Sequence, residues 1–150
     1  MQIVKNPLTF LKQDFQTESN LCDYLELNIK LFCIQCLGLH YVTHTREFPL
    51  LSHRRKAKRI DFLIETQSGM VIVECKNPIH ICEVHNAVGQ ILNYETLLKE
   101  YHQKDAHRLI IVTTKYDPEV NLTIKQFNLP VHLIGLDKEH HLLSDISHLN

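Results

Sequence analysis

The sequence predicts one domain of the α/β class, α+β in arrangement, in which a mixed β-sheet is flanked by helices. Three observations lead there. Tyr41–Phe48 alternates in the manner of a half-exposed strand, whereas Leu109–Thr114 and Val131–Leu136 are short apolar runs of the kind buried on both faces. Between the strand-like runs lie longer stretches with apolar residues every three or four positions, the spacing of a helix packed on one face. With 150 residues, 44% hydrophobic and 22% charged, the chain can bury one sizeable core.

The elements follow in order. Residues 1–16 lack clear periodicity and read as a short helix or arm. Thr17-Glu18-Ser19-Asn20 offers N-cap chemistry. Leu21, Tyr24, Leu25, Ile29, Phe32, Cys33 and Cys36 then form a helical apolar stripe that ends near Gly38. The Tyr41–Phe48 strand leads into a basic connector, Pro49–Lys56. Ala57–Thr66 and Met70–Lys76 flank Gln67-Ser68-Gly69, a hairpin signal. Asn77-Pro78 stops the second of these strands, because proline cannot donate to a ladder. Val84, Val88, Ile91, Leu92, Leu97 and Leu98 mark a helix over Cys82–His102. After the Leu109–Thr114 strand, Asp117-Pro118-Glu119 opens a further helix that ends near Asn128. Val131–Leu136 is the last strand, and the tail from His140 reads as a strand or a short helix. The order is α-β-β-β-α-β-α-β.

Bulk properties exclude several functions. The formal net charge of −1 gives no global basic field, so any nucleic-acid contact must come from a local patch. The dense basic run is His53-Arg54-Arg55-Lys56-Ala57-Lys58-Arg59, directly upstream of Asp61. No run of about 18 apolar residues and no signal-peptide pattern is present, which excludes a membrane partner and points to a cytoplasmic protein. The five cysteines are consistent with free thiols in a reducing compartment. Cys33-Ile34-Gln35-Cys36 has redox or zinc spacing, yet it falls in a helical apolar pattern without a second pair, so core packing is the better reading. The 11 histidines are scattered and form no zinc pattern.

Chemistry concentrates in Arg59-Ile60-Asp61-Phe62-Leu63-Ile64 and Val71-Ile72-Val73-Glu74-Cys75-Lys76. Each β-branched run carries one carboxylate, and burying a charge there costs several kcal/mol unless something compensates. In a hairpin turning near 67–69, Asp61 and Glu74 become near cross-strand neighbours, with Cβ atoms ~5 Å apart if they share a face. Two carboxylates so placed repel unless a cation lies between them. Hard oxygen ligands suit Mg²⁺ or Mn²⁺, and the Cys75 carbonyl is a further candidate ligand. Lys76 shares a face with Glu74, where it can orient an attacking water and stabilise developing charge, while the Cys75 side chain faces the core. Gln90 and Tyr94 lie one turn apart on the following helix and can present a polar pair to this site. The plain alternative is a salt bridge of Asp61 or Glu74 with Lys76.

Taken together, Asp61, Glu74-Cys75-Lys76 and Gln90-x-x-x-Tyr94 resemble the PD-(D/E)XK nuclease superfamily, in particular its RecB-like branch. Arg46-Glu47-Phe48 is similar to an Arg-Glu-aromatic segment of some members. The resemblance runs from about Glu18 to Leu98 and implies a restriction-endonuclease-like αβββαβ core. It further implies a metal-dependent endonuclease that hydrolyses DNA phosphodiester bonds in repair, defence or mobile-element biology. Asp61, Glu74, Lys76, Gln90 and Tyr94 would then be catalytic. The helix-1 acid would be Glu18, a metal ligand through water, with Glu26 as its rival. Arg46, Arg54, Arg55, Lys56, Lys58 and Arg59 would neutralise DNA phosphates. Cysteine at 75 departs from the aliphatic or aromatic residue of many relatives. With no second domain in view, the core would act as a homodimer, work with partner proteins, or recognise DNA structure instead of sequence. The alternative is an inactive subunit of the same fold that binds nucleic acid or a partner.

Overall fold

The structure, a computed structural model, describes residues 15–53, 58–80 and 82–136. The expected N-terminal arm up to residue 14, Arg54, Arg55 and Lys56 of the basic run, and the tail from His140 lie outside the described residues.

Helix α1 spans Glu18–Leu27, and the Thr17 hydroxyl caps it by accepting the Asn20 N–H at 3.1 Å. The single long helix expected here is interrupted. After Asn28 come a short α2, Ile29–Leu31, and a π-helical segment, Phe32–Leu37. The wider π turn rotates Phe32, Cys33, Cys36 and Leu37 all into the core. Gly38 closes it at φ 66, a left-handed conformation that glycine adopts without a Cβ clash. The Arg108 guanidinium donates to the Leu37 carbonyl at 2.9 Å, satisfying one end group.

Five strands follow: β1 (Tyr41–Leu50), β2 (Lys58–Thr66), β3 (Gly69–Lys76), β4 (Ala106–Thr113) and β5 (Val131–Gly135). They lie side by side in sequence order. β1, β2 and β3 pair antiparallel, while β3, β4 and β5 pair parallel, so the sheet is mixed. The parallel half needs crossover helices. These are α3 (Cys82–His102) and α4 (Pro118–Gln126), the latter capped by Asp117 with Pro118 in its first turn. The β2–β3 hairpin turns at Gln67-Ser68, where Gly69 takes φ 132 and a Cβ would come within 3.0 Å of His107.

The core has two layers because strand residues alternate. Phe62, Ile64, Val71, Val73, Cys75, Ile110, Val112 and Ile134 face α1 and the π segment. Leu63, Ile72, Leu109, Ile111 and Leu133 face α3 and α4. Ile60 breaks the alternation. By parity it belongs with Phe62, yet it packs in the α3 layer. Glu47, opposite Asp61 in the β1–β2 register, has φ 54, so the two strands change direction at Asp61.

Candidate functional site

Asp61 stands where β2 leaves β3. The β2–β3 pairing ends at Phe62↔Val73, and beyond it Asp61 Oδ2 accepts the Cys75 N–H at 2.8 Å. The carboxylate thus completes a ladder that the departing backbone cannot. Because β2 bends there, Asp61 reaches groups on both faces of the sheet.

On the α3 face it meets Glu74. Glu74 is only 4% exposed and lies beside Asp61 and Tyr94 of α3. Burial first, and then the Asp61 carboxylate, push Glu74 up to about 10, against the opposing pull of the Lys76 charge. Burial and the two carboxylates likewise raise the Tyr94 hydroxyl well above its ordinary value. Glu74 therefore keeps its proton well above the ordinary carboxyl range. The carboxylate oxygens of Asp61 and Glu74 are hard donors of the kind a divalent cation would take.

On the α1 face the neighbours are thiols. A carboxylate oxygen of Asp61 and the Sγ atoms of Cys22 and Cys75 all lie within 4.8 Å of one another. Cys75 is hydrogen-bonded to Cys22, and this contact together with full burial raises its thiol well above the ordinary range.

The structure brings together Asp61, Glu74, Lys76 and Tyr94. Gln90 lies one turn earlier on α3 and is exposed. Glu18, the expected helix-1 acid, opens α1 as an exposed residue, and the α1 side chain gathered at Asp61 is Cys22, four residues later. Its rival Glu26 is engaged elsewhere. Glu26 pairs with His44 at 2.7 Å and with Arg46 at 3.3 Å, and these partners hold its carboxyl below the ordinary value. Arg46 also pairs with Asp23 at 2.6 Å. Arg46 thus ties β1 to α1, while Lys58 and Arg59 lie at the start of β2, two or three residues before Asp61. Arg59 is exposed beside Glu47 at 3.7 Å. Sequence reasoning did not single out Cys22. Its signal was the spacing of four from both Glu18 and Glu26, which places all three near one helical face.

The Cys33–Cys36 pair is structural. Burial pushes Cys33 up to about 11 and Cys36 up to about 12, so both are protonated packing residues. Beyond Lys76, a cleft of about 340 Å³ opens at the C-terminal ends of the parallel strands, between Pro78–His80 and Lys115–Pro118. Crevices at carboxyl strand ends are where sheets of this kind bind ligands.

No protein-family model matches the sequence, and no curated protein matches it. Solved structures do. A repair endonuclease from Pyrococcus abyssi superposes with a TM-score of 0.53 at 18% identity, covering 82% of this chain and 49% of that one. The small subunit of the heterodimeric restriction endonuclease R.BspD6I superposes with a TM-score of 0.55 at 16% identity, covering 92% of this chain and 75% of that one. Protein VC1899 from Vibrio cholerae gives 0.54 at 17% identity, over 87% of this chain and 32% of its own length. This chain thus spans about half the length of the Pyrococcus abyssi enzyme. Among the described residues no helix is long and apolar enough to cross a membrane. The mixed five-stranded sheet with its flanking helices is the restriction-endonuclease-like fold.

Proposed function

We propose that this domain is a Mg²⁺- or Mn²⁺-dependent nuclease that hydrolyses DNA phosphodiester bonds. The observation that carries the reading is the Asp61–Glu74 pair, two acids side by side at the end of the sheet, one of them almost wholly buried. A purely structural role would favour an apolar residue at position 74, because a buried acid weakens the fold unless it is used.

Asp61 and Glu74 would hold the cation, which when bound lowers the pKa of a water and offsets charge on the phosphate. Tyr94 orients Glu74 through its hydroxyl. Lys76 points to the same face as Glu74, and its charge reaches Glu74 there, so it can orient the attacking water and stabilise the charge that develops. Lys58 and Arg59 lie upstream on β2, where they can neutralise neighbouring phosphates. The endonuclease names of two structural neighbours agree with this chemistry.

A second reading has its own support. The α1 side chain beside Asp61 is a thiol, not a carboxylate. That departure favours a subunit of the same fold that binds DNA or a partner chain, as the R.BspD6I small subunit belongs to a heterodimer. The deciding assay uses single-stranded, duplex and branched DNA with Mg²⁺, Mn²⁺ or EDTA. Cleavage that needs the metal and is lost in Asp61→Asn supports the nuclease. Metal-independent cleavage contradicts the mechanism, and binding without cleavage selects the second reading.

A further inference from the structure

We propose that Cys22, Cys75 and Asp61 form a binding site for a soft divalent cation, of which Zn²⁺ is the representative. Three elements converge there: α1 brings Cys22, β3 brings Cys75 and β2 brings Asp61. Their two Sγ atoms and a carboxylate oxygen lie within 4.8 Å of one another. Tetrahedral zinc, with bonds of about 2.3 Å to sulfur and about 2.0–2.2 Å to oxygen, needs ligand atoms somewhat under 4 Å apart. Ion binding therefore requires the three side chains to rotate inward.

The donor set is selective. Two thiols and one carboxylate suit zinc and its neighbours, and they are wrong for Mg²⁺, which demands oxygen. The Cys75 N–H already donates to Asp61 Oδ2 at 2.8 Å, so one ligand is oriented by a backbone group before any ion arrives. Cys22 and Cys75 are both buried while Asp61 is partly exposed, so the approach for an ion and for a fourth ligand, a water, is from the Asp61 side. The other cysteine pair offers nothing comparable. Among the described residues, Cys33 and Cys36 belong to no such group of three ligands.

Asp61 is the residue this site shares with Glu74. Soft-metal binding would withdraw it from the hard cation, so zinc would compete with Mg²⁺ and silence the site. This consequence rests on the nuclease reading, whereas the binding itself does not.

The test uses the whole chain, reduced and metal-free, titrated with Co²⁺ in the absence of Mg²⁺. A thiolate-to-cobalt charge-transfer band is expected, saturating at one equivalent and abolished by Zn²⁺. Cys22→Ser is expected to remove the band, and Cys33→Ser to retain it. Asp61→Asn, which keeps an acceptor for the Cys75 N–H, is expected to weaken Co²⁺ binding by roughly tenfold or more. Absence of the band in the parent protein overturns the proposal. So does a band that survives Cys22→Ser, or one that Asp61→Asn leaves at full affinity. Because the readout is spectroscopic, a positive result stands even where no DNA is cut. Cleavage with no cobalt band leaves the nuclease and removes the zinc site.

Discussion

Asp61 Oδ2 accepts the Cys75 N–H at 2.8 Å, so a side chain takes the place of a strand at the point where β2 and β3 separate. The bond fixes a carboxylate at the sheet's end with Glu74 to one side and two thiols to the other.

Asp61→Asn keeps an acceptor for the Cys75 N–H and removes the charge. The fold is therefore expected to survive, with a thermal midpoint close to that of the parent protein. Metal-dependent DNA cleavage is expected to fall by more than roughly 100-fold, since one anionic ligand is lost. Melting curves and initial cleavage rates check the two halves separately.

Glu74, through its burial, couples the stability of the metal-free protein to pH. Its ordinary value is 4.5, and in the fold it is pushed up to about 10. The folded state therefore holds a proton that the unfolded chain releases. The stability this provides is complete below the lower value and is lost as pH rises toward the upper one. In EDTA, the parent's thermal midpoint is expected to decline across neutral and mildly alkaline pH. Glu74→Gln, which does not titrate, is expected to show a flatter profile. A parallel decline in both proteins would contradict the assignment.

Tyr94→Phe deletes the hydroxyl that faces Glu74 and leaves the ring packed in the α3 layer. A loss of about 0.5–1.5 kcal/mol in stability is expected, the usual worth of one hydrogen bond. A denaturant titration measures it. Weaker metal affinity is expected alongside, because Glu74 loses the group that orients it.

The basic residues should separate by role. Arg46 is paired with Asp23 and Glu26, so Arg46→Ala is expected to cost up to about 1 kcal/mol of stability. Lys58→Ala and Arg59→Ala are expected to leave stability nearly unchanged and to weaken DNA binding. Each should lower the slope of log affinity against log salt by about 1. Equilibrium binding at several salt concentrations distinguishes the two classes.

Much of this architecture was legible in the sequence because its signals are local. Apolar runs at Leu109–Thr114 and Val131–Leu136 marked buried strands, which the structure pairs parallel, and Gln67-Ser68-Gly69 marked the hairpin. The interruption of the first helix was not legible, because an apolar stripe every three or four residues looks alike in α and π turns. Asp61 and Glu74 could be brought together from strand register alone. The surroundings of Asp61 could not, since period-two alternation fails where Glu47 turns left-handed and Ile60 crosses to the α3 layer. Cys22 went unnoticed for the same reason. Its role depends on a tertiary contact between α1 and a bend in β2.

The central claim is that Asp61 and Glu74 together hold one divalent cation. Titration of the metal-free protein with Mn²⁺, followed by the electron paramagnetic resonance of the free ion, tests it most directly. One bound Mn²⁺ per chain is expected, displaced by excess Mg²⁺ and lost in both Asp61→Asn and Glu74→Gln. Mn²⁺ binding of unchanged affinity in those two variants, or none in the parent protein, would contradict the account.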